Sequence, residues 1–389
     1  MKSIVLLLIT FLSSSALLFA EDSIKATPKK GVKVAPELSE QLPSGYEKLP
    51  LFGEIEWEVK HLPWVEAGPY AGISGLAMVE YEGEIYVAGG FIPGGETSAE
   101  GVIEKTSRWT WKYNPRQDRW SQLPHIPDRR EYTRGIVQGS NFYVVGGGKI
   151  FKGQEPSYQP YPDCFQLDLS SNESSWKKHS QLNVPRTHTS IGSIRNKLLV
   201  VGGNEYQWEE KGYSHNTIRA TTEVFDLSQP EQGWQVRSSI PTGGRGWAAS
   251  VVYADELCLF GGVTWKKEEG VTRLNESWRY DPQKDDWSRF ADAPVAISGW
   301  EGTLYQNRYA LIAGGVAEIA GKMVWSDLCW AYDCEEDRWL RLDNPLPPGA
   351  VFNDPGVVII EDTIYIIGAE GPSGSHYDYL LVGKIQPSS

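Results

Sequence analysis

Apolar runs recur along the chain, and each stops on glycine. Five end in a doublet, at Gly89-Gly90, Gly146-Gly147, Gly202-Gly203, Gly261-Gly262 and Gly314-Gly315. A sixth run, Ile364 to Ile367, ends instead in Gly368-Ala369-Glu370. Successive stops lie 53 to 59 residues apart. A period of that size marks one supersecondary unit copied along the chain.

Each period keeps one internal order. A strand of small and apolar residues comes first (Gly72 to Glu80, Thr187 to Ile194), then the run into the doublet, then a variable loop. An aromatic strand follows and closes in a turn, as in Tyr113-Asn-Pro, Phe225-Asp-Leu and Tyr280-Asp-Pro. The last strand opens on tryptophan: Trp120, Trp176, Trp234, Trp287 and Trp339. Four short strands with turn residues between them predict a propeller blade. The sixth repeat stops after its aromatic strand, Tyr377 to Ile385, while an orphan Trp57 strand stands before the first. The pattern therefore predicts an all-β, six-bladed propeller over residues 51–386. Its last blade is closed by the Trp57 strand, so that no sheet edge stays open.

The N-terminus follows a different pattern. Lys2, the apolar stretch Ile4 to Leu12 and small residues up to Ala20 predict a signal peptide over residues 1–20, cut before Glu21. Residues 21–50 are polar and rich in Pro and Lys, and are expected to form a disordered linker. The rest of the chain has no apolar stretch long enough for a membrane span, and its first cysteine, Cys164, is far from the cut. A periplasmic or secreted protein without membrane insertion is the expectation.

Composition narrows the partners. With 37 basic against 50 acidic residues and a net charge of −13, nucleic acid is not an expected partner. Cys164, Cys258, Cys329 and Cys334 form no CxxC pair, and buried free thiols are expected. No metal or cofactor is expected. The six histidines are scattered, which argues against the copper radical chemistry known on similar blades.

The doublets, the Tyr-Asp-Pro turn and the spaced tryptophans resemble the kelch repeat over the whole mature chain, which implies a kelch β-propeller. A narrower resemblance rests on Gly68-Pro-Tyr-Ala-Gly-Ile-Ser-Gly75, Ala88-Gly-Gly-Phe91, Glu100-Gly101 and Lys105. These look like the first blade of the exported sialic acid mutarotase (N-acetylneuraminate epimerase) family and its circularly permuted relatives. That family carries a Gly-Glu-x-x-Pro-Gly-x-Arg loop one blade earlier, its Glu the proton acceptor. In this chain the loop reads Gly368-Ala-Glu-Gly-Pro-Ser-Gly-Ser-His376. Glu370 falls on the family Glu, but His376 stands where the family has Arg.

The resemblance implies an isomerase that interconverts sugar anomers, with Glu370 as base and His376 as acid or shuttle. Arg134, Arg186 and Arg245, at or near the starts of innermost strands, are candidates to bind a substrate carboxylate. Glu205 is a second acid candidate, and Tyr70, Trp247 and Trp300 are candidates to stack on a sugar. Each also has a structural alternative: Glu370 as a solvated loop acid, the arginines as blade hydrogen-bonders, and the tryptophans as packing. The alternative function is a non-catalytic propeller that binds a glycan or an exported protein.

Overall fold

The computed structural model describes residues 37–66, 71–97, 103–151, 158–171, 174–209, 212–214, 217–266 and 270–388. Tyr70 and the first 36 residues, including the expected signal peptide, lie outside these. Among the described residues the fold is nearly all strand, and no helix is long and apolar enough to cross a membrane.

Strand pairing repeats a four-stranded antiparallel unit. The first contains Ala77–Tyr81, Glu84–Ala88, Thr110–Asn114 and Arg119–Leu123, paired in that order. The next four units follow the same order. The sixth contains Gly356–Ile360, Thr363–Ile367 and Tyr379–Pro387, and its outermost strand is Leu51–His61 from the other end of the chain. That strand pairs antiparallel with Tyr379–Pro387 from Gly53↔Pro387 to His61↔Tyr379. The six innermost strands pack side by side in a closed ring, the last against the first.

Three recurring contacts explain the sequence pattern. First, the second residue of each doublet latches one unit to the next. The N–H groups of Gly90, Gly147, Gly203, Gly262 and Gly315 donate to the carbonyls of Arg130, Arg186, Arg245, Ile297 and Phe352. Ala369 N–H donates to Ile73 O at 2.8 Å and so closes the circle. The close approach of the latch carbonyl accounts for glycine at the first position of the doublet. Gly202 has φ +64°, and a Cβ there would sit 2.0 Å from the Arg245 carbonyl oxygen. Second, strand-opening tryptophans pin each of the second to fifth units to the one before. Trp176 Nε1 donates to Pro124 O at 2.9 Å and Trp287 Nε1 to Ser238 O at 2.9 Å. Third, the turn aspartates accept from the aromatic strand: Tyr113 OH reaches Asp118 at 2.6 Å and Tyr280 OH reaches Asp285 at 2.7 Å. All four cysteines are buried free thiols.

The end of the expected linker is ordered against the propeller. Leu38 and Tyr46 are buried. The Tyr46 ring meets Trp330 edge-on at 5.3 Å, and its hydroxyl donates to Leu342 O at 3.1 Å. Two anchors hold residues 37–50 in place without any hydrophobic period, which is why the sequence pattern reads as linker there.

Candidate functional site

Doublets and innermost-strand starts meet at one end of the channel, where the side chains form layers. At the narrowest layer each unit contributes one residue with positive φ: Gly75 (60°), Tyr132 (49°), His188 (52°), Trp247 (55°), Gly299 (73°) and Asp354 (50°). Their backbones hydrogen-bond around the channel. His188 N–H donates to Tyr132 O, Trp247 to His188, Gly299 to Trp247, Asp354 to Gly299 and Gly75 to Asp354, at 2.7 to 3.4 Å. A non-glycine residue in this region costs on the order of 1 kcal/mol or more. The ring of bonds holds four of them there. Their side chains stack: His188 lies between Tyr132 at 4.1 Å and Trp247 at 4.0 Å, both inclined at 29°.

Two residues deeper, by the alternation of a strand, comes a layer of Ala77, Arg134, Ser190, Ala249, Glu301 and Gly356. Arg134 is its one cation. Its Nη2 lies 3.3 Å from Asp354 Oδ1 and 3.3 Å from Glu301 Oε2. Burial works against the Arg134 charge, but these two carboxyls outweigh it and raise its pKa. Burial pushes Glu301 up to about 7 and raises Asp354 as well. His188 Nε2 is 3.9 Å from Asp354 Oδ2, yet burial and then the Arg134 charge hold the ring well below its usual pKa and neutral. Below lies a channel of about 370 Å³ lined in part by Arg134, Glu301 and Ser250.

One step outward are the residues just after the doublets: Phe91, Gly148, Asn204, Val263, Val316 and Glu370. Glu370 is the only carboxylate among them. It is half-buried and accepts a hydrogen bond from Tyr132 OH at 3.3 Å. Burial and then the Asp354 charge raise its pKa to about 7, against the Tyr132 hydrogen bond. Beside it Glu131 is fully buried, and burial, with a further push from Glu370, takes it to about 8. Thr106 donates to Glu131 Oε2 at 3.3 Å, and Oε1 has no partner among the described residues. At neutral pH this pair contains one carboxyl that is largely protonated and one poised to ionise.

The other expected site residues fall elsewhere. His376 sits opposite Glu370 on a two-residue hairpin but turns to other partners. Its Nδ1 is 2.9 Å from Ser74 Oγ and its ring packs on Phe91 at 4.8 Å. Burial, with the Lys105 charge, lowers it to about 4, so it holds no proton to give at pH 7. Arg186 and Arg245 are turned into the blades, where they bond to Glu223 and Glu276. In repeat register they match Arg130, which pairs with Asp163 at 2.8 Å; Arg134 lies four residues later and reaches the channel instead. Glu205 pairs with Arg219. Trp300 is buried, donates to Phe260 O at 3.0 Å and stacks on Trp339 at 5.9 Å, as a packing residue does.

Trp247 lines a pocket of about 220 Å³ at the same mouth, together with Asn204, Tyr206, Arg273, Ser298 and Asn353. Gly299, with no side chain, leaves it open at the level of the ring. Asn353 is bridged backbone to backbone with Glu370, at 2.8 and 3.0 Å, although the Glu370 side chain is not among the residues that line the pocket.

The sequence alone did not single out Glu131, Asp354, Glu301 or Arg273. Aligning the repeats on the latch carbonyl would have found the ring, because each ring residue lies two positions beyond it.

Comparison with known proteins agrees with this architecture. A Kelch motif model matches residues 73–126. The chain is 24% identical over 262 residues to the Kelch-like protein terF of Aspergillus terreus, covering 65% of this chain and 52% of that one. It is 23% identical over 256 residues to human Kelch-like protein 34, covering 64% and 36%. Over 116 residues it is 30% identical to N-acetylneuraminate epimerase of Salmonella enteritidis, covering 29% and 30%. The matches thus span about half or less of these relatives' lengths.

Proposed function

From the premise that this is a kelch-repeat β-propeller resembling N-acetylneuraminate epimerases over part of its length, we propose that it is an exported sugar mutarotase. Its substrate in this reading is N-acetylneuraminic acid or a related sugar. The observation that carries the proposal is Glu370, a half-buried carboxyl at about 7 beneath the Tyr132 hydroxyl. Export rests on the pattern of residues 1–20.

Mutarotation needs one group to take the anomeric hydroxyl proton and another to protonate the ring oxygen as the ring C–O bond breaks. The open-chain carbonyl then rotates and recloses from the other face, and both protons return. Glu370 is the base. Glu131, protonated at neutral pH but fully buried, is the reserve from which the second proton is relayed through the site, without touching the sugar. His376, neutral and engaged by Ser74, is left to position the hairpin.

Two-dimensional exchange NMR on N-acetylneuraminic acid tests this. Native protein should speed α/β exchange, and Glu370→Gln should lower the rate by about 10²-fold or more. The rate should rise with pH through about 7 as Glu370 ionises and fall above about 8 as Glu131 loses its proton. Binding without any acceleration would favour a non-catalytic glycan-binding propeller instead.

A further inference from the structure

The arginines around the mouth differ in what they already hold. Arg130, Arg134, Arg186, Arg219 and Arg245 each have a carboxylate within salt-bridge distance. Arg273 has none among the described residues. Its Nε donates to Val316 O at 3.0 Å, which fixes the plane of the guanidinium. Its two Nη groups have no hydrogen-bond partner among the described residues. The side chain is partly withdrawn from water, and this burial lowers its pKa.

Arg273 lines the 220 Å³ pocket at the same mouth as Glu370. The same pocket is lined by Asn353, Trp247 and Ser298. An unoccupied guanidinium fork thus stands in one small cavity, and a planar fork suits a carboxylate held by two parallel bonds. The volume is below the roughly 300–1,000 Å³ of pockets for drug-sized ligands, which matches a single sugar ring.

We infer that Arg273 is the anion-recognising residue of this pocket, which takes a carboxylate-bearing molecule of monosaccharide size. The channel arginine does not compete for this role, because Asp354 and Glu301 already neutralise it. The inference deepens the mutarotase reading, since it concerns the same mouth as Glu370, but it is tested by binding alone.

Isothermal titration of the full mature chain with N-acetylneuraminic acid and its methyl ester, and with D-glucuronate and D-glucose, is the experiment. For at least one pair the acid should bind about tenfold or more tighter than its neutral partner, with the difference shrinking as salt rises. Arg273→Met should abolish the preference in a chain whose circular-dichroism spectrum stays native. Arg273→Lys should restore part of it, as a point charge without the fork. Asn353→Ala should weaken acid and neutral ligand alike. Equal binding within both pairs, no binding by any of the four, or a preference that survives Arg273→Met would overturn the inference. Acid-selective binding without anomer exchange would sink only the mutarotase reading. Exchange without charge preference would sink only the role of Arg273.

Discussion

Among the channel carboxyls Glu131, Glu301 and Glu370, Glu131 has the environment that does most to oppose ionisation. Its folded pKa, about 8, lies above the ordinary carboxyl value, so the protonated form is the one the fold favours. The sign follows. Its contribution to stability is fully present below about 4.5 and is lost as pH rises toward 8. Glu131→Gln keeps an acceptor for Thr106 and cannot ionise. We predict that the variant is more stable than wild type at pH 8, by on the order of a few kcal/mol, and equal to it at pH 4. Urea melts at the two pH values would show this, and equal melts at both would contradict it. At this scale Glu370 was legible in the sequence, because it follows the one doublet that is broken. The ring was not. Tyr132, His188, Trp247 and Asp354 share no side-chain chemistry; what they share is a positive φ, a backbone property that residue types other than glycine do not announce.

The Gly-Gly stops are latches between units as well as markers of strand ends. Two substitutions separate the reasons for glycine. At Gly139, with φ +59°, an added Cβ meets nothing within 4 Å, so Gly139→Ala should cost only the left-handed conformation, about 1–2 kcal/mol. Gly202→Ala adds a collision with the Arg245 carbonyl at 2.0 Å and should cost about 3 kcal/mol or more. Chemical denaturation midpoints would rank them, and equal losses would mean that the latch adds nothing beyond φ. Strand order, turns and the small inner strands were legible here because the same pattern recurs six times. The three arginines were harder to separate. Arg134 looks like Arg186 and Arg245 until the repeats are aligned and it falls four residues out of step.

Closure of the ring depends on the N-terminal strand. Leu51–His61 caps the edge that Tyr379–Pro387 would otherwise expose, and it also meets the fifth unit in a short parallel pairing at Leu51↔Arg341 and Gly53↔Leu342. Removing residues 51–61 should expose a long strand edge and replace one cooperative melt with an early, aggregation-prone transition. A truncated chain that melts as one monomeric unit at the native temperature would contradict this. The closure could be anticipated from two incomplete repeats at the chain ends, one lacking its last strand and the other consisting of nothing else. The docking of residues 37–50 could not, since Leu38 and Tyr46 bury themselves without any periodic pattern around them. The proposed function rests on the mouth this ring builds, and on Glu370 within it. Exchange NMR on N-acetylneuraminic acid is the most direct test. Faster interconversion of the anomers with native protein, lost in Glu370→Gln while that variant still binds the sugar, is the predicted result. Exchange no faster than in buffer, or an unchanged rate in the variant, would contradict the assignment.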